Sequence, residues 1–177
     1  MTDITEENQP VVRPRIHSAE KKPLQDLLPM KTPISAHVDI SSICNYRCSF
    51  CFQADTKGMK EVGLKRGWME VDMFKKIVDG FKEFPDKIKK IKIGNHGEPT
   101  LHPDVAEMVK YAYESNTADI IEMFTNGSRL TPELNEAMVK AGLQRINVSL
   151  EGLTDKRYLE VAGVKQNFQE SIDGVKS

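Results

Sequence analysis

The sequence predicts an α/β fold built from parallel βα repeats. Strand-like and helix-like apolar patterns alternate at intervals of about 30 residues, as βαβ units do. Each chemically unusual segment follows directly on a predicted strand: the cysteine loop, His96-Gly97-Glu98-Pro99, Thr125-Asn126-Gly127 and Ser149-Leu150-Glu151-Gly152. In parallel α/β architectures the βα loops share one rim, at the carboxyl ends of the strands, and that rim carries the active site.

The elements follow in order. Ile34, Ala36, Val38 and Ile40 alternate with other residues at period two and predict a strand. The cysteine loop comes next, and Gly58, Gly63 and Gly67 then mark a long irregular connection. Met73, Phe74, Ile77, Val78 and Phe81 recur at helical spacing, so a helix runs over 69–84 until Pro85 stops it. Residues 89–93 form a second strand. Pro103 opens a helix to about residue 115 with Val105, Met108, Val109 and Ala112 on one face. Residues 119–125 are a third strand, closed by an Asn126-Gly127 turn. Thr131 caps the next helix, Pro132 fills its first turn and Gly142 ends it. Residues 145–150 are a fourth strand, and 154–161 and 168–176 read as helical. Residues 1–33 carry five prolines and little apolar periodicity. They predict an extended or disordered arm with one short turn at Leu24, Leu27 and Leu28, which leaves 34–177 as the core domain.

Bulk composition narrows the function. Lys and Arg total 25 against 26 Asp and Glu, a net charge of -1, which gives no electrostatic case for nucleic acid or an anionic membrane. No apolar run approaches the ~20 residues of a membrane helix. The polar, acidic first ten residues are not a secretory signal, and closely spaced cysteines without one argue against a disulfide framework, so a reducing cytoplasm is expected.

Cys44, Cys48 and Cys51 are the only cysteines and lie within eight residues. Three thiolates are one short of a closed tetrahedral site. A cluster held this way keeps one metal corner for a ligand that is not protein. The competing reading is a non-catalytic metal-binding module: zinc completed by His37 or His96, or an iron–sulfur centre serving folding or a partner. Zinc knuckles usually pair two short chelating turns, and the sequence holds one.

The Cys44-x3-Cys48-x-Phe50-Cys51 run after a first strand resembles the signature of the radical S-adenosylmethionine (SAM) enzymes. Gly97-Glu98-Pro99 is similar to the end of that superfamily's Gly-Gly-Glu-Pro loop, with His96 where many members have a first glycine. Phe124-Thr125-Asn126-Gly127 resembles its Thr-Asn-Gly turn, and Asn147-Val148-Ser149-Leu150-Glu151-Gly152 its fourth-strand segment. The resemblance spans residues 34 to about 175. It implies part of a partial TIM barrel with about four strands present, the first four βα units of a core that is C-terminally incomplete.

It also implies a [4Fe-4S] cluster held by Cys44, Cys48 and Cys51, with SAM chelating the fourth iron. Reductive cleavage of SAM would give a 5′-deoxyadenosyl radical that abstracts hydrogen from a substrate. Glu98 would accept from the SAM ammonium or set the loop that does, and Gly97 would let the backbone approach closely. Thr125 and Ser149 would donate to the carboxylate, Asn126 or Glu151 would face the ribose, and Phe50 and Tyr46 would border the adenine. No side chain is assigned to catalysis. The implied partners are an unidentified substrate, a peptide or a sugar or other small metabolite, and an electron donor such as flavodoxin or ferredoxin.

Overall fold

A computed structural model describes residues 23–177. The chain divides into two units, Met1–Met30 and Lys31–Ser177. In the first, the described residues form a 3-10 turn at Leu24–Leu27. The expectation of an extended or disordered arm falls, as far as residue 22, outside the described residues.

The second unit holds a parallel sheet of β1 (Ser35–Val38), β2 (Ile88–Ile93), β3 (Ala118–Thr125) and β4 (Arg145–Val148), ordered β1-β2-β3-β4. Each pair is parallel, with Val38 opposite Ile93, Ile93 opposite Met123 and Thr125 opposite Val148. Sequential strands are spatial neighbours because each crossover is a single helical layer. The helices are α1 (Thr56–Glu61), α2 (Val71–Gly80), α3 (Val105–Glu114), α4 (Pro132–Lys140), α5 (Asp155–Ala162) and α6 (Phe168–Lys176).

Alternation along the strands decides what faces what. Ile91, Ile93, Ile121 and Met123 project to one face and form the core with Phe74 and Val78 of α2, Val105, Met108, Val109 and Ala112 of α3, and Met138 of α4. Burying such side chains stabilises the fold by about 1.5–3 kcal/mol each, before chain entropy is counted. Thr131 accepts from the Leu134 amide and Thr154 from the Arg157 amide, as predicted or expected of cap positions.

Several expectations need correction. The connection after the cysteines is not wholly irregular: Asp55 accepts from the Gly58 amide and nucleates α1. Met73 is exposed, because α2 turns its apolar stripe through Phe74 and Val78 instead. α3 starts at Val105, not at Pro103, because the buried His102 ring accepts from the Asp104 amide and holds a turn there. β2 lies between β1 and β3, and of the lysines along it Lys89 is exposed whereas Lys90 and Lys92 are partly buried. Lys90 and Lys92 point to the face away from the helices, where Lys90 Nζ lies 3.4 Å from Glu122 and Lys92 Nζ sits over the Phe124 ring. Among the described residues, no helix is long and apolar enough to cross a membrane.

Candidate functional site

The four unusual loops meet at one rim. After β1, residues 40–42 are braced by 67–69: the Met69 amide donates to the Ile40 carbonyl at 2.9 Å and the Ser42 amide to the Gly67 carbonyl at 3.0 Å. The loop after β2 packs on the same stretch, with the Glu98 amide donating to the Ile43 carbonyl at 2.8 Å. That approach is possible only because residue 97 has no side chain. Gly97 has φ +74°, and a Cβ there would lie 2.1 Å from the Ser41 carbonyl oxygen. Gly97→Ala is therefore expected to destabilise the chain by about 2 kcal/mol or more, adding backbone strain to a clash that no flexible side chain can relieve. Urea unfolding checks it; an unchanged midpoint contradicts it.

The cysteine loop is held from the far side by α5. The Arg47 amide donates to the Ala162 carbonyl and the Ser49 amide to the Val161 carbonyl, both at 2.8 Å. These carbonyls are orphans of the helix C-terminus, so loop and helix satisfy each other. Tyr46 is buried edge-on against Tyr158, ring centroids 6.2 Å apart, in a small cluster with Ala162, Cys44 and Cys48. Burial pushes the Tyr46 phenol up, with Tyr158 adding to it.

Glu98 is 1% exposed and ties the second loop to the third. Its Oε1 accepts from the Thr100 amide at 3.0 Å, the Thr100 hydroxyl at 2.6 Å and the Thr125 hydroxyl at 2.6 Å. Its Oε2 accepts from the Asn126 amide at 2.6 Å. Asn126 then reaches the cysteine loop, its Nδ2 donating to Asn45 Oδ1 at 3.0 Å and lying 3.8 Å from Cys44 Sγ. A chain of contacts thus runs from Thr100 through Glu98 and Asn126 to the first cysteine.

All eleven site residues expected from the sequence line one cavity: Cys44, Tyr46, Cys48, Phe50, Cys51, Gly97, Glu98, Thr125, Asn126, Ser149 and Glu151. Ser149, expected inside the fourth strand, lies one residue past β4 and is exposed; its hydroxyl has no partner among the described residues. Gln53, Ala54, Asn95 and Phe124 line it too, and none of them is among the residues expected to contact SAM. His96 also lines it. Its Nδ1 lies 2.8 Å from Asp39 Oδ2, and Asp39 Oδ1 accepts from the Asn95 and His96 amides at 2.6 and 3.0 Å.

The three cysteines are free thiols. Burial pushes Cys48 up to about 11, with Glu151 adding, and burial also raises Cys44. Such thiols release a proton when a metal takes the sulfur. Among the described residues, no three His, Cys, Asp or Glu side chains are grouped to hold a single metal ion. Soft thiols spread around one cavity fit a polynuclear iron–sulfur cluster, in which each iron takes its own thiolate.

A parallel βα sheet with a three-thiolate loop and a shared cavity defines a cluster-binding α/β protein of the radical SAM type. The profile of the Radical SAM superfamily matches residues 38–177, and the chain belongs to that superfamily, whose members are enzymes that bind a [4Fe-4S] cluster and SAM. It is 32% identical over 117 residues to the tungsten-containing aldehyde ferredoxin oxidoreductase cofactor-modifying protein of Pyrococcus furiosus, covering 66% of this chain and 30% of that one. It is 33% identical over 138 residues to a probable GTP 3′,8-cyclase of Thermococcus kodakarensis, covering 78% of this chain and 41% of the relative. The chain thus spans less than half the length of these curated relatives. The fold is shared with BtrN in complex with AdoMet and 2-DOIA (TM-score 0.62, 22% identity, 81% of this chain and 52% of that one). It is shared also with Streptococcus suis SuiB bound to S-adenosylmethionine (TM-score 0.65, 20% identity, 86% and 33%).

Proposed function

We propose that residues 34–177 form the cluster- and SAM-binding part of a radical SAM enzyme, with Cys44, Cys48 and Cys51 each binding one iron of a [4Fe-4S] cluster. The observation that carries the reading is the meeting of all four βα loops at one cavity that contains the three thiols. When bound, the cluster and SAM supply reductive sulfonium cleavage and hydrogen abstraction; the protein supplies binding, orientation and exclusion of water.

The hydrogen bonds divide the expected SAM contacts into two groups. Glu98 and Thr125 are engaged with each other and with neighbouring amides, so their role is to position the rim. Ser149 keeps its hydroxyl free for the SAM carboxylate. Glu151 lines the cavity with no hydrogen bond from another described side chain, and serves the ribose. Burial raises the Glu151 carboxyl, and a ribose hydroxyl is a donor its oxygens can accept from. Exposed Phe50 offers an aromatic face to the adenine. A flavodoxin or ferredoxin supplies the electron, and the substrate is a peptide or a small metabolite such as a sugar.

Anaerobic reconstitution with iron and sulfide tests the reading. A brown protein is expected, whose reduced cluster gives an electron paramagnetic resonance signal that changes when SAM is added. A colourless protein retaining one zinc would reject it in favour of a structural metal module. Ser149→Ala is expected to leave iron content unchanged and weaken SAM binding by about 1–2 kcal/mol, the loss of one hydrogen bond to a charged group. Unchanged SAM affinity, measured by equilibrium dialysis of the loaded protein, would remove Ser149 from the site.

A further inference from the structure

The sheet face opposite the helices is charged, and its charges are unequal. By strand alternation it carries His37 of β1, Lys90 and Lys92 of β2, Glu122 and Phe124 of β3, and Arg145 of β4. Asp39 follows beyond the end of β1. Three cations therefore face one strand carboxylate, a balance of 3 - 1 = +2, on a chain whose net charge is -1.

The carboxylates there are already committed. The Glu122 side chain is 5% exposed; its Oε2 lies 3.4 Å from Lys90 Nζ and 3.3 Å from Arg145 Nη1. Asp39 is engaged by His96 and by two backbone amides. Lys92 stands directly opposite Glu122 in the strand register, yet it has no carboxylate partner among the described residues. Its Nζ lies 6.0 Å from the centroid of the Phe124 ring. Lys92 is partly buried, and Phe124 also lines the cavity that holds the three thiols. The natural complement of a lysine held on this face without a carboxylate partner is an anion brought by a ligand.

We propose that Lys92 anchors an anionic group, a carboxylate or a phosphate, of the molecule on which this enzyme acts. The inference rests on the reading of the cavity as the reaction site. The anion sits at Lys92, with the ring of His37 beside it in register, and the carbon frame of the same molecule runs across Phe124 toward the cavity. An organic acid, a sugar phosphate and an acidic peptide side chain share this chemistry; a neutral substrate does not.

Titration of the whole chain, followed by amide NMR, tests the proposal with two probes, sodium pyrophosphate and sodium succinate. Saturable shifts are expected at residues 90–92 and 122–124 with at least one of them, and the probe that binds identifies the anion. Lys92→Gln is expected to weaken that binding by about tenfold, the scale of one charge-assisted hydrogen bond. Lys92→Arg should retain most of the affinity, and Lys110→Gln on α3 should retain all of it. No saturable shift on this face with either anion, or equal affinity in Lys92→Gln, would overturn the proposal, and the amide spectrum itself reports whether each variant is folded. Iron content after reconstitution is read on the same preparations. Anion binding without iron retention would count against the cluster reading alone; iron retention without Lys92-dependent binding would count against this inference alone.

Discussion

Cys48→Ala is expected to abolish iron retention while leaving the fold nearly intact. The two halves of that result have separate physical causes. Each thiolate satisfies one iron, so two remaining cysteines leave an iron without a protein ligand and the cluster open to water and loss. The side chain itself is only partly buried, and truncating a small, partly exposed group costs about 1 kcal/mol or less. The backbone of the loop does not depend on the thiol. The Cys51 amide donates to the Cys48 carbonyl at 2.9 Å, and neighbouring Arg47 and Ser49 are pinned to α5 through their amides. Iron per chain after anaerobic reconstitution and desalting should fall to background, with a urea midpoint close to that of the parent. Cys44→Ala and Cys51→Ala should behave alike. A variant that keeps its full iron would contradict the ligand assignment. One that loses iron only because it unfolds would show that the thiol serves the satellite cluster with Tyr46 and Tyr158 rather than a metal.

The frame that presents those thiols was legible in the sequence because it rests on local periodicity. Ile91 and Ile93 alternate with Lys90 and Lys92, and the structure sends the two sets to opposite faces of β2. Thr131-Pro132 and Gly142 bracket α4 by short-range rules of capping and left-handed backbone, with Gly142 at φ +88°. Strand ends told where the rim would lie, so eleven residues drawn from four loops could be assigned to one cavity. What escaped depends on partners distant in the chain. Nothing near Glu98 marks its bond to Thr125, 27 residues on, or the use of both groups as a clamp. The inner position of β2 follows from strand order, which a run of lysines does not encode. α1 was concealed by Gly58, a poor helix former, although Asp55 placed three residues earlier was a readable cap. Ser149 lies outside β4 because the last pairing is Thr125 with Val148, a register that no pattern within residues 145–150 specifies.

Glu98→Ala is expected to cost about 3–5 kcal/mol of stability, the largest loss expected from any single rim substitution. Four donors converge on this carboxylate at 2.6–3.0 Å: the Thr100 amide and hydroxyl, the Thr125 hydroxyl and the Asn126 amide. Alanine removes every acceptor at once and leaves the donors in a place where Glu98 is 1% exposed and water has little access. Desolvated donors without acceptors are more expensive than the bonds are worth when made. Glu98→Gln separates the polar contribution from the packing. Its amide oxygen can serve one side of the site, but its NH2 then meets an N–H or O–H on the other, donor against donor, so a cost of about 2 kcal/mol is expected at nearly constant volume. Both values come from urea unfolding of the metal-free chain with an unchanged slope. Because Asn126 connects Glu98 to Asn45 and Cys44, both variants should also release iron faster after loading. A loss below about 1 kcal/mol for Glu98→Ala would mean that the four bonds add little net stability to the fold. In that case the carboxylate is retained for direct contact with SAM, and the variant should fail in SAM binding while folding normally.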